Sequence, residues 1–403
     1  MKKTLYMLFI FLFAIAGSFG IINANKNTPN HDSAVAQTKS GYLLNTTNHV
    51  ITIYPQTNIT NVTNAALSYL KNRADKSTTW TLYFRSGNYL IDKPLAVDNL
   101  QNVVISAEPN STVSLVKSSN WSGEFLVLMR YCQDVTLQNL RFTGKTSVFD
   151  LKNPPWGEQG VYFGSSKNIT VSNCYFNNFG DAALRIATND SDPSTTVNSS
   201  NIKVVNNKFD NFWQITTTSA KGGVYNYLFQ NNQITNMHGS LKFATRIPGA
   251  GKVSILQNSF TNSDDNGIEI VGYSDALIEN NTFKNIKNFI VNAYTNDLAI
   301  TPHQWGNNIT FKNNQTYNSG RGLRFSPAPY PNGFTPVPKN FVVIGNTFNT
   351  VTNSSYPVIA VVNGRVDGVT ISGNRIIKYY GKNWSDIDSR CTSVSVSNNT
   401  LSN

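Results

Sequence analysis

Asparagine recurs through the second half of this chain in a fixed register. Asn207, Asn232, Asn258, Asn281, Asn314, Asn346, Asn374 and Asn399 each stand two residues before one repeated position, filled by Phe209, Ile234, Phe260, Phe283, Thr316, Phe348, Ile376 and Leu401. A side-chain amide carries both donors and an acceptor, so amides stacked one per coil at the strand spacing of about 4.8 Å bond to one another. Asparagine also tolerates left-handed backbone at a tight turn. The residue two places on points inward and stacks as an apolar ladder. Asparagines scattered by chance would not hold this register over eight coils.

Short β-branched runs precede these turns, among them Val103-Val104-Ile105, Val135-Thr136-Leu137, Ile169-Thr170-Val171, Val253-Ser254-Ile255, Val342-Val343-Ile344 and Val394-Ser395-Val396. Residues 252–270, KVSILQNSFTNSDDNGIEI, show one unit: run, Asn, Phe, polar turn, second run. The spacings between ladder asparagines are 25, 26, 23, 33, 32, 28 and 25 residues. A repeat of this length without helical periodicity predicts a solenoid. The shortest spacing fits three strands with tight turns, the longer ones predict loops at 293–308 and 326–340, and an earlier bulge at 187–200 falls at the same place in its coil. Loops on one edge of a rigid scaffold commonly carry function.

Residues 1–24 have the pattern of a secretory signal: Lys2 and Lys3, an apolar run from Leu5 to Ala16, and Gly20 or Ala24 for cleavage. Residues 25–45 read as a polar linker, and 46–403 as the repeat domain with its N-terminal cap. Thr60 or Asn61 is expected to cap a helix carrying Ala65, Ala66, Leu67, Tyr69 and Leu70. Trp80–Phe84 and Ser86–Ile91 then read as strand, turn and strand. A capping helix covers the apolar end and the open strand edges of a solenoid.

The cap helix, the YFRSGNYLI segment and coils of the form N-I-x-V-x-N-N-x-F … G-I-x-I resemble the pectate lyase-like superfamily over roughly residues 50–403. The resemblance implies an all-β fold, a right-handed single-stranded parallel β-helix with three strands per coil, about ten coils and an N-terminal capping helix.

Alternation along the first strand of each coil predicts an outward row of Arg185, Thr216, Lys242, Glu269, Asn292 and Arg324. A second row, Asp181, His238, Asp265 and Asn288, is expected in the preceding turn, with His238 beside Asp265. Arg246, Asp264, Tyr294, His303, Trp305 and Arg321 flank the rows. The bland alternative for Lys242 and Glu269 is a cross-strand ion pair worth about 0.2–1 kcal/mol.

An open sheet face flanked by loops suits a polymer. In the superfamily a Lys or Arg removes the C5 proton of a uronate while cations, often Ca²⁺, neutralise its carboxylate. By that resemblance Lys242 is the expected base, Arg246 or Arg185 the carboxylate clamp, and His238 a further catalytic candidate. Arg185, Arg324, Asn292, Tyr294, Trp305 and His303 would bind substrate, and Asp264, Asp265 and Glu269 would supply hard oxygen ligands for a possible Ca²⁺. The Arg-x-Pro-x-x-Arg run of the lyases is represented only by Arg246-Ile247-Pro248. The aspartates and His-Gly of polygalacturonases stand in the opposite chain order, and the Asp-x-His run of the epimerases is missing.

Only 14% of residues are charged, against roughly 25% in an average chain, and the net charge is +11. A basic surplus attracts polyanions, whether nucleic acid, anionic lipid or acidic polysaccharide, and the lack of Lys/Arg-rich runs speaks against nucleic acid; the bland alternative is a generically basic secreted protein. After signal removal no run is long and apolar enough to span a membrane. A secreted or periplasmic monomer is expected. Three cysteines, Cys132, Cys174 and Cys391, allow at most one bridge, and no Cys/His metal pattern appears. Three functions follow: a lyase or related epimerase acting on a uronate-containing polysaccharide, an inverting hydrolase using Asp264, Asp265 and Glu269, or a non-catalytic carbohydrate-binding protein.

Overall fold

The structure, a computed structural model, describes residues 37–39, 41–109, 111–188, 197–218, 223–245, 251–294, 306–327 and 337–402. The signal segment, most of the linker, Arg246, His303 and Trp305 lie outside the described residues.

The β-branched runs stack in sequence order into one parallel sheet. From Trp80–Phe84 to Thr392–Ser397 this column holds twelve strands, the β-branched runs among them. Val50–Ile53 joins its N-terminal edge in parallel and pairs antiparallel with Tyr42–Asn45. The last residues of the expected linker, Tyr42 to Asn45, are therefore part of the sheet, with Tyr42 and Leu44 buried. The remaining strands of each coil stack beside it in a second sheet, and Tyr175–Ala187 and Lys208–Thr218 run unbroken through both of its strand positions.

Alternation sends every second side chain into the tube. Val103, Val135, Ile169, Ile202, Tyr227, Val253, Ala276, Ile309 and Phe341 are register partners and all buried. Phe341 and Val343, rather than Val342, face inward, which shifts that strand one residue from its sequence reading. Phe142, Phe176 and Phe209 stack with centroids 4.9 and 4.8 Å apart, and Phe260 and Phe283 at 4.8 Å. Those distances equal the strand spacing, so the coil repeat itself sets the ring stack. Each such side chain contributes about 1.5–3 kcal/mol by burial.

The asparagine ladder forms as the register requires. Asn207, Asn232, Asn258, Asn281, Asn314, Asn346 and Asn374 each donate Nδ2 to Oδ1 of the next asparagine, at 2.9–3.1 Å. Each Oδ1 also accepts the backbone N–H of the preceding ladder residue, as Asn258 does from Asn232 at 2.8 Å. The left-handed residue is not the ladder asparagine but the one before it: Asn206, Asn231, Gln257, Asn280 and Asn313, with Gly345 and Gly373 further on. Two outer ladders add to it. Asn168, Asn201 and Asn226 form one, and Asn236, Asn262, Asn285 and Asn318 another, all with positive φ. Asparagine bears that conformation at lower cost than most residues.

The cap helix is Ile59–Asn72. It starts before the expected Thr60 or Asn61, from a left-handed Asn58 without a side-chain cap. Thr60 is buried instead and accepts the Asp92 N–H at 3.1 Å. Ile59, Val62, Ala66, Leu67 and Leu70 form the buried stripe that closes the first coil. The Arg73 guanidinium ties the helix end to that coil, reaching the carbonyls of Leu70 and Asn102 at 3.0 and 3.1 Å.

Candidate functional site

The strand register places the outward row as the sequence predicts. Arg185 pairs with Thr216, Thr216 with Lys242, Lys242 with Glu269, Glu269 with Asn292, and Asn292 with Arg324. Tyr162 and Leu128 extend it beyond Arg185, and Ala360 and Asp386 beyond Arg324. Tyr294, two residues past Asn292, shares its outward parity.

Lys242 Nζ lies 3.3 Å from Glu269 Oε2, and Asn266 Nδ2 donates to Oε1 at 2.8 Å. The Lys242 side chain is 34% exposed and that of Glu269 12%. Arg185 donates Nη2 to Thr218 Oγ1 at 3.1 Å and sits 5.8 Å from the Tyr162 ring centroid.

The second row differs from its expectation. His238 Nδ1 is 2.6 Å from Asp264 Oδ2, not beside Asp265, and Asp264 Oδ1 takes Lys287 Nζ. Met237 is the register partner of Ser263, which sets His238 opposite Asp264. Counting back from the following strand fails because the turn from Ser263 to Ile268 is one residue longer than that from Met237 to Leu241. Asp265 instead accepts Asn288 Nδ2 at 3.0 Å. Asp181 accepts Gln214 Nε2 at 2.8 Å. Burial raises the Asp264 carboxyl, but hydrogen bonds from Lys287 and His238 outweigh it and hold the group below the usual carboxylate range. Asp264, Asp265 and Glu269 thus face separate protein donors, and no group of three His, Cys, Asp or Glu side chains converges among the described residues. This donor set does not fit the expected Ca²⁺.

The wall beside the row is the stretch from Gly144 to Gly157. Phe149 stacks on His238 at 4.0 Å, and Trp156, 61% exposed, meets Trp213 edge-on at 5.0 Å. Buried Glu158 anchors this stretch, accepting the Lys145 and Gly180 N–H groups at 2.9 and 3.2 Å, with Lys117 Nζ at 3.7 Å. None of Phe149, Trp156, Trp213 or Lys287 emerged from the sequence reading. One signal was available: Leu140 and Cys174 hold the ladder position two residues before Phe142 and Phe176, and 174 − 140 = 34 residues separate them. An open groove of about 450 Å³ runs past Asp264 and Lys287, lined also by Asn262, Asn285, Asn318 and Thr352. A larger one, about 850 Å³, passes Asn88, Ser114, Arg141 and Tyr175 but holds none of the candidate residues.

A family model described as "Right handed beta helix region" matches residues 95–283, and the same coil continues to Ser402 in the structure. No curated protein sequence matches the chain. Solved structures share the fold. The surface adhesin PfbA of Streptococcus pneumoniae aligns with TM-score 0.64 at 14% identity, over 86% of this chain and 87% of that one. The catalytic unit of a GH87 α-1,3-glucanase from Streptomyces thermodiastaticus aligns with TM-score 0.58 at 12% identity, over 91% and 70%. The A-module of the mannuronan C-5 epimerase AlgE6 from Azotobacter vinelandii aligns with TM-score 0.51 at 13% identity, over 84% and 95%.

Proposed function

We propose that this chain, a member of the right-handed parallel β-helix superfamily, binds an acidic polysaccharide along the face from Tyr162 to Arg324 and cleaves it there by β-elimination. The observation that supports this most is the register that files Arg185, Lys242 and Arg324 along one sheet, with Trp156 and Trp213 at its side. Rungs about 4.8 Å apart put these cations about 10 and 14 Å from one another, a periodic match for anionic groups on an extended chain. Aromatic faces beside them suit sugar rings.

Elimination takes the C5 proton to a base, breaks the C4–O bond and leaves a C4–C5 double bond, with the leaving oxygen protonated. Lys242 is the group at the centre of the row. It accepts a proton only as a free amine, so substrate must first separate it from Glu269. That ion pair supports a second reading, binding without turnover. Inverting hydrolysis draws less support, because a carboxyl held ionised, as Asp264 is, makes a poor proton donor.

Affinity electrophoresis in pectate, alginate, glycosaminoglycan and a neutral glucan tests the binding. Retardation by one or more acidic polymers and not by the glucan is expected; no retardation by any acidic polymer overturns it. Ultraviolet absorbance from unsaturated ends, lost in K242A, reports the lyase. New reducing ends without that absorbance report hydrolysis, and retention without either reports binding alone.

A further inference from the structure

We infer that Arg321, Arg324 and Asn292 form a subsite for an anionic sugar residue, gripped by its carboxylate or sulfate group, three rungs along the sheet from Lys242. The inference rests on the proposed polysaccharide groove and names what occupies its C-terminal half.

Both guanidinium groups gather around one ring. Arg321 and Arg324 lie 5.0 and 5.8 Å from the Phe289 centroid, and Arg321 lies 5.3 Å from that of Tyr356. Phe289 and Tyr356 pack edge-on at 5.2 Å, so the aromatic pair fixes the two cationic heads. Both arginines are half-buried, and among the described residues neither has a carboxylate within ion-pair distance. Arg324 Nε is buried without a hydrogen-bond partner among the described residues.

Two like charges beside each other, partly stripped of water and unpaired, favour an anion. Guanidinium forks match the planar oxygens of a carboxylate or the face of a sulfate. Asn292 narrows the ligand further. It is 9% exposed, it sits one rung from Arg324, and its Oδ1 is buried with no donor among the described residues. An acceptor beside a dication calls for a ligand that carries a hydroxyl next to its negative group. An acidic sugar has both, whereas inorganic sulfate or acetate has only the charge.

Ligand-observed NMR on the full chain with glucuronate, glucose 6-sulfate, glucose and acetate tests this. The wild type is expected to bind glucuronate or the sulfate ester in preference to glucose and acetate, and which of the two wins identifies the anion. R321Q/R324Q should weaken that binding about tenfold or more with an unchanged melting temperature. R324K, which keeps the charge and loses the fork, should weaken it less. N292L should weaken glucuronate and leave acetate unchanged. Equal binding of glucose, no binding of either acidic sugar, or full binding by R321Q/R324Q and R324K overturns the subsite. Polymer retardation that survives in R321Q/R324Q while acidic sugars fail to bind overturns the subsite and keeps the groove. Acidic-sugar binding without any polymer retardation overturns the groove and keeps the subsite.

Discussion

Replacing Asn258 by alanine removes one rung of the inner ladder. Its Oδ1 accepts the Asn232 N–H and Nδ2 at 2.8 and 3.1 Å, and its Nδ2 donates to Phe229 O and Asn281 Oδ1, both at 2.9 Å. The residue is 2% exposed, so water does not replace these partners. Four bonds at about 1 kcal/mol net each give a loss of about 4 kcal/mol. With an unfolding entropy of about 2.1 cal/mol/K per residue over ~350 residues, the melting temperature should fall by about 5 °C. Asn285 supplies the comparison. It belongs to an outer ladder, bonding Asn262 and Asn318 where water competes, and its φ of 56° is open to glycine. N285G should therefore cost about 1 kcal/mol or less. Circular dichroism melts of both variants, with amide hydrogen exchange across the strands Val224–Gln230 to Ser274–Glu279, read the difference. Coils contact chiefly their neighbours, so loss of protection should be local. An N258A melt no lower than that of N285G would refute the claim that buried amide bonds hold the coils in register.

Asp264 links stability to acid. Its carboxyl lies below the usual range because the bonds from Lys287 and His238 outweigh burial, so its stabilisation is present above about pH 4 and is lost as pH falls through the folded value. Melts of D264N should flatten against pH in that window while the wild type declines. Trp156 is largely exposed, so W156A should weaken polysaccharide retention several-fold with little change in melting temperature; a fall in stability without a fall in retention would assign it to packing. Burial pushes the thiols of Cys132 and Cys174 up to about 12, and Cys391 is raised with less burial. Ellman's reagent should therefore titrate at most Cys391 in the native protein and all three cysteines once it unfolds.

Where sequence reading succeeded, the physics was periodic and local. Ile268, Glu269 and Ile270 alternate in and out whatever happens elsewhere, and the strand stack then forces Glu269 beside Lys242. It failed where one residue of turn length decides the neighbour, as at His238 and Asp264. It failed again where the partner is distant in sequence: Phe149 reaches His238 across 89 positions, 238 − 149, and no pattern in the chain announces that contact. The left-handed positions were misassigned by one residue, since asparagine serves both the ladder amide and the turn just before it, at Asn206 and Asn207 alike.

The amino-acid order alone determined that the chain winds into stacked coils, which side chains fill the tube, and which ones stand in file on its face. These follow from the two-residue alternation of a strand and from amides that find partners only in the next coil. Tertiary structure decided which of the filed groups are neutralised and which are left exposed to a ligand. Glu269 answers Lys242 and Asp264 answers Lys287, while Arg321 and Arg324 pack on aromatic rings and, among the described residues, have no carboxylate within ion-pair distance, because charge pairing depends on ångström distances across turns whose lengths vary from coil to coil.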